Sequence, residues 1–289
     1  MKFIRFGLPG QERPGLIDPL GGLRDLSAHV RDIDGALLAD AAVLAALRAL
    51  DPFSLPPVSP DVRLGSPLAG VGNFYAIGLN FRDHAQEANL PIPSEPVVFM
   101  KATSCICGPD DPFLCPPGAQ KLDWEAELGV VVGRRAKRVS PAEARACIAG
   151  YCTVLDGSER DFQMNRGGLW IKGKSYESFG PLGPWLVTAD EVADPQQLGM
   201  WLEVNGKRFQ NGSTRTMVFN VAQLVSYISR FTTLYPGDLI STGTPPGVGM
   251  GVKPQATYLK PGDVMQLSID GLGTQRQTVH AWNPELIDG

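Results

Sequence analysis

Residues 122–133 read Leu122-Asp123-Trp124-Glu125-Ala126-Glu127-Leu128-Gly129-Val130-Val131-Val132-Gly133. The run is apolar enough for a buried strand, and strand side chains alternate, so residues i and i+2 share a face. Leu122, Trp124, Ala126, Leu128, Val130 and Val132 then fill one face, and Asp123, Glu125, Glu127 and Val131 the other. Two glutamates side by side repel, and burial adds a desolvation cost. A divalent cation removes both penalties, and a hard ion such as Mg²⁺ takes carboxylate oxygens with water completing its shell. Asp156, in the run YCTVLDGSERD at 151–161, offers a third carboxylate. A competing reading makes Glu125 and Glu127 the wet face of an antiparallel strand, with Lys121, of the same parity, partnering Asp123.

At 289 residues the chain can bury a large core, as one big domain or two smaller ones. Charged residues are 19% and the net charge is −4. Beyond the short Arg134–Arg138 group there is no stripe of Lys and Arg, which argues against a nucleic-acid partner. The 33 glycines and 25 prolines fit many tight turns and a β-rich fold. No stretch approaches the ~20 apolar residues needed to span a bilayer, so no membrane partner is expected. The start, MKFIRFGLPGQERPG, lacks the apolar core of a signal peptide. The five cysteines are irregularly spaced, which fits reduced thiols and a cytoplasmic location. Cys105, Cys107 and Cys115 match no common zinc spacing.

Residues 1–60 read as a small N-terminal α/β domain. MKFIRFG and the Leu16–Gly22 stretch suggest short strands, Ala36–Leu50 suggests a helix, and the prolines crowded into Asp51–Pro60 mark a boundary. The main domain is expected over 68–286. Within it, Asn205-Gly206 signals a hairpin. The turns Tyr235–Asp238 and Lys260–Asp263 precede the runs LIST (239–242) and VMQLSID (264–270). Ser140-Pro141-Ala142-Glu143 is a capping box that starts one helix. A second starts near Asn220, with Val221, Leu224, Val225 and Ile228 at helical spacing. The fold class is α+β, with strands dominant.

Gly168–Ser175 satisfies the phosphate-loop pattern G-x-x-x-x-G-K-S letter for letter. A phosphate loop needs an apolar strand before it and a helix after it. Residues 161–167 are not strand-like, and Gly180-Pro181-Leu182-Gly183-Pro184 stops any helix, so nucleotide binding is rejected. No Gly-x-Ser-x-Gly elbow is present. His84 and Glu87 share a helix face if Asn80 caps a helix there, and a carboxylate beside an imidazole suits water activation. An ordinary surface helix carrying a chance histidine is the alternative. Lys174 is either a solvated lysine or a buried ammonium that stabilises an oxyanion. Arg160, Asp161 and Gln163 follow Asp156 closely, as supporting groups or as plain surface.

Together these fragments resemble the fumarylacetoacetate hydrolase family. The resemblance runs from Phe74 to about Thr278 in one order: Gly78–His84, Asp123–Leu128, Asp156–Asp161, Lys172–Ser175, Gly183–Trp185 and Ser241–Pro245. Departures are modest: Trp124 and Ala126 replace smaller or β-branched residues, and Leu155 and Gly157 flank Asp156 where Asn and Val are common. The resemblance implies a mixed β-sandwich roll behind a small N-terminal domain. It implies Glu125, Glu127 and Asp156 as ligands of Mg²⁺ or Mn²⁺, His84 and Glu87 as a lid-borne catalytic pair, and Lys174 as the catalytic lysine. Asn80, Arg160, Gln163 and Thr244 would surround a keto-acid substrate, and a homodimer is the family habit. The implied reaction is hydrolysis of the carbon–carbon bond of a 2,4-diketo acid, an acylpyruvate or a 2,4-diketo-3-deoxy sugar acid, to pyruvate and a carboxylic acid. Decarboxylation or tautomerisation of a 2-keto acid on the same site, and a non-catalytic binding protein retaining the fold, are the alternatives.

Overall fold

The structure, a computed structural model, describes residues 1–286. Ala126–Val132 is an inner strand of a nine-stranded sheet and is buried at every position. It pairs antiparallel with Ile148–Leu155, placing Val154 opposite Glu127, and on its other side antiparallel with Leu239–Ser241. Leu239–Ser241 pairs parallel with Phe74–Gly78, and Val97–Lys101 is the edge strand beyond it. A strand covered on both faces must be apolar on both faces, hence the unbroken Val130-Val131-Val132 run.

A second sheet of five strands orders Lys207–Ser213, Gly199–Val204, Val264–Ile269, Gly273–Ala281 and Phe113–Cys115. It packs against the central strands of the first sheet. The core between them includes Leu128, Val130, Leu202, Met265 and Leu267. This is the mixed two-layer α+β architecture expected from the sequence. The hairpin at Asn205-Gly206 is present, both residues taking the positive φ (51° and 75°) that a tight turn requires. The second expected helix spans Val221–Phe231, with Asn220 and Gln223 forming a capping box. The Ser140 capping box is also formed, but its helix stops at Ala144.

The strands of the first 60 residues do not build a sheet of their own. Lys2–Phe6 pairs with Leu186–Thr188, and Arg13–Ile17 and Leu23–Asp25 continue outward, extending the nine-stranded sheet. The single helix expected over Ala36–Leu50 is two helices, Gly35–Ala39 and Ala41–Ala49. Asp40 divides them: its backbone is extended and its carboxylate accepts from the amides of Ala42 and Val43, capping the second. The phosphate-loop look-alike is preceded by the helix Arg160–Asn165, not by a strand, and its own helix, Ile171–Lys174, ends inside the motif. Among the described residues no helix is long and apolar enough to cross a membrane.

Candidate metal centre and active site

The deciding run is not one continuous strand. It pairs over Leu122–Asp123 and again over Ala126–Val132, with a break at Trp124 and Glu125. Side-chain and backbone bonds replace the ladder there. The Ala126 amide donates to Gln210 Oε1 at 2.9 Å, and the Asp156 amide donates to the Glu125 carbonyl at 2.9 Å. The second bond ties the end of one strand to the end of the next and sets Asp156 beside Glu125.

Glu125 and Glu127 are 7% and 2% exposed, so the wet-face reading fails. Asp156 joins them, with one ligand atom from each residue lying within 4.8 Å of the others. Asp123 is buried too, but its partner is Arg160 rather than Lys121, with Arg160 Nε 2.8 Å from Asp123 Oδ2. The amides of Gly249 and Met250 also donate to the Asp123 carboxylate.

Three buried cations face these acids. Lys174 Nζ lies 2.7 Å from Glu125 Oε2 and 2.8 Å from Asp156 Oδ2. Arg160 spans Asp123, Glu125 and the Gln163 side-chain oxygen. Lys101, which the sequence did not single out, is 1% exposed; its ammonium is 2.5 Å from Asp156 Oδ1 and also donates to the Lys174 carbonyl. The one sequence signal for Lys101 is its parity with Phe99 at the end of an apolar edge strand. Lys174 can enter because Gly173 lets its helix close onto Arg160–Asn165: a Cβ at 173 would stand 2.4 Å from the Gln163 nitrogen and the Glu159 carbonyl.

The charges settle unevenly. Burial opposes ionisation of Glu125, but Lys174 and Arg160 outweigh it and hold its carboxyl well below the usual range. Glu127 lacks such a cation. Burial first, then the neighbouring Asp156 and Glu125, push its carboxyl well above the usual range. Ser241 Oγ and the Gly243 amide donate to Glu127 Oε2 at 2.5 and 2.8 Å. Gly243 approaches with φ at 93°, where a Cβ would be strained and would also press on Asn80. Burial disfavours the charge on Lys174, and Asp156 and Glu125 more than restore it, so its pKa rises. Three converging carboxylates, one held toward its protonated form by burial and by the other two, suit a divalent ion, and an all-oxygen donor set is the kind Mg²⁺ and Mn²⁺ take.

His84 and Glu87 are on one face of the helix Arg82–Glu87, with His84 Nδ1 3.0 Å from Glu87 Oε2. The other Glu87 oxygen accepts from the Gly247 amide at 2.8 Å, so the carboxylate is itself fixed. Asn80 does not cap this helix. Phe81 holds the cap position, and the Asn80 amide is spent on the Phe219 backbone and the Thr242 carbonyl. It therefore ties the start of the Arg82–Glu87 helix to the sheet and does not line the cavity. The Thr244 hydroxyl is engaged as well, donating to the Ala126 carbonyl and accepting from Gln210. A cavity of about 290 Å³ is lined by His84, Glu87, Glu125, Glu127, Arg160, Gln163, Lys174 and Thr244 together, residues from five separate stretches of chain. Asp161 is outside this group, paired with Arg166 at the surface.

Residues 73–280 match the fumarylacetoacetate (FAA) hydrolase C-terminal family. A Burkholderia cenocepacia protein named "Putative hydrolase" is 58% identical over 282 residues, 97% of this chain and 100% of that one. The 2-hydroxyhepta-2,4-diene-1,7-dioate isomerase of Mycobacterium marinum has a similar solved structure, with TM-score 0.74 and 31% identity over 97% of this chain and 98% of that one. Maleylpyruvate hydrolase of Sphingobium sp. SYK-6, solved in complex with manganese (II) ion and pyruvate, gives TM-score 0.79 and 27% identity over 98% of this chain and 100% of that one. With the ordered motifs, the acidic triad and the two-sheet fold, these matches establish that the chain belongs to the fumarylacetoacetate hydrolase family.

Proposed function

We propose that this protein hydrolyses the C3–C4 bond of a 2,4-diketo acid, using a divalent metal, to give pyruvate and a carboxylic acid. The observation that carries the reading is the shared cavity. The His84–Glu87 pair opens onto the same space as Glu125, Glu127 and Lys174. A base poised over an acidic metal site and a fixed ammonium is the arrangement for adding water to a carbonyl and releasing an enolate. Glu125, Glu127 and Asp156 would hold the Mg²⁺ or Mn²⁺, which supplies Lewis-acid stabilisation of negative charge on the substrate.

The protein's own groups perform the remaining work. His84, its ring set by the Nδ1 contact to Glu87, accepts a proton from water through the other nitrogen. The hydroxide adds to the C4 carbonyl. The C3–C4 bond breaks, and its electron pair leaves as the enolate of pyruvate. Lys174 stabilises that charge, and His84 returns the proton to C3. Arg160 holds Glu125 in place from the side away from Lys174.

A second reading is isomerisation or decarboxylation of a 2-keto acid, and the likeness to the M. marinum isomerase favours its isomerisation form. The two differ in their use of water. A coupled pyruvate assay over a panel of acylpyruvates, run in ¹⁸O-water and with EDTA as control, separates them. Hydrolysis releases pyruvate and puts one ¹⁸O into the acid product. Turnover with no label incorporated would mean that the second reading is right.

A further inference from the structure

We infer that the acyl group of the substrate is an uncharged hydrocarbon, held against Phe99 and Trp170. The inference rests on the diketo-acid reading of the site and names the half of the molecule which that reading leaves open. The cavity is divided by chemistry. Its buried charges, Glu125, Glu127, Arg160 and Lys174, belong to the metal end, and a keto-acid head would occupy them. The remaining wall is apolar. Phe99 and Trp170 meet edge to face, their centroids 5.1 Å apart, and the buried Val248 lines the same cavity. Leu90, Met164 and Met250 line the same cavity yet stay 49%, 57% and 45% exposed. Large apolar side chains left open around one cavity mark a surface awaiting an apolar ligand.

Trp170 is built into this position. The strand Phe74–Gly78 ends in Gly78, where a Cβ would stand 2.9 Å from the indole ring. The edge strand supplies Phe99 on the face that also sends Lys101 to Asp156, so the apolar wall and the cation that fixes Asp156 share one strand. The one buried cation against this wall, Lys174, lies 5.6 Å from the Phe99 ring centroid but is already paired with Glu125 and Asp156, so a second carboxylate on the acyl chain would find no unpaired buried cation there. Beyond the His84–Glu87 pair, the one further charge lining the cavity is Lys253, an exposed residue with no ion pair among the described residues. A buried carboxylate without a partner is costly, so such a substrate would be disfavoured.

The test compares acylpyruvates of equal length, hexanoylpyruvate against the analogue ending in a carboxylate, in the coupled pyruvate assay with the Mn²⁺-loaded protein. Hexanoylpyruvate is expected to have the higher kcat/KM by at least about tenfold. Trp170→Ala should remove most of that preference through KM. Met164→Lys, an exposed change that the fold tolerates, should shift it toward the diacid. A preference for the diacid that Lys253→Ala abolishes would overturn the inference. If no acylpyruvate yields pyruvate, the hydrolase reading fails on its own. Calorimetric titration with 2-oxooctanoate and its ω-carboxylated analogue then decides the acyl question by binding. Tighter binding of the monoacid, lost in Trp170→Ala, sustains the hydrocarbon wall, and equal or weaker binding rejects it.

Discussion

Lys101 reaches from the edge strand of the large sheet to place its ammonium 2.5 Å from Asp156 Oδ1, both side chains at most 1% exposed. The same ammonium donates to the Lys174 carbonyl. One cation thus fixes a candidate metal ligand and the backbone of the candidate catalytic lysine. Lys101→Met should therefore destabilise the protein by about 3 kcal/mol, the usual loss when one member of a buried pair is removed. Urea midpoints measure it, and Mn²⁺ should restore part of the loss by replacing the missing charge. A variant as stable as the parent, with or without metal, would mean that Lys174 alone suffices for Asp156.

The raised Glu127 carboxyl makes a prediction with a definite sign. Its folded pKa lies above the unfolded value, so the metal-free fold binds an extra proton between the two. Its contribution is fully present below the usual carboxylate range and is lost as pH rises through the raised value. Glu125 is shifted the opposite way, and its contribution is lost only on acidification, below the usual range. Metal-free protein should thus lose stability as pH rises above the ordinary carboxylate range, and saturating Mn²⁺ should flatten the curve. Glu127→Gln should also flatten it, and should abolish the Mn²⁺-induced rise in Tm. Thermal melts across pH, with EDTA or Mn²⁺, provide the check.

Glu87 touches His84 and the Gly247 amide but none of the three candidate metal ligands through a hydrogen bond. Glu87→Gln and His84→Asn are expected to lower kcat by roughly 10²- to 10⁴-fold. The Mn²⁺ affinity of both should stay near the parent value. Pyruvate release and calorimetric metal titration read the two properties separately. Intact turnover in both variants would remove the pair from water activation.

Gly173 offers a test of packing next to the candidate catalytic lysine. An added Cβ meets backbone atoms at 2.4 Å, and backbone cannot turn aside as a side chain can. Gly173→Ala should cost about 1–3 kcal/mol by overpacking, and should lower activity further by shifting Lys174 away from Glu125 and Asp156. Unfolding midpoint and kcat are the measurements. An unchanged kcat would show that Lys174 keeps its place when its helix moves.

The sequence alone determined the strand-dominated α+β class, the Asn205-Gly206 turn and the helix caps at Ser140 and Asn220. These depend on local chemistry and on alternation, which a reader of residues can follow. It also marked Glu125, Glu127 and Asp156 through one family's ordered motifs, while alternation by itself favoured a solvated face. Tertiary structure decided that face, because Arg160, Lys174 and the Ser241–Gly243 stretch, all distant in sequence, close onto the two glutamates. It decided that Arg160, not Lys121, answers Asp123, that Asn80 serves the backbone, and that Lys101 enters the site. Each of those partners is more than thirty residues away along the chain, and charges so separated meet only once the sheets have closed around them.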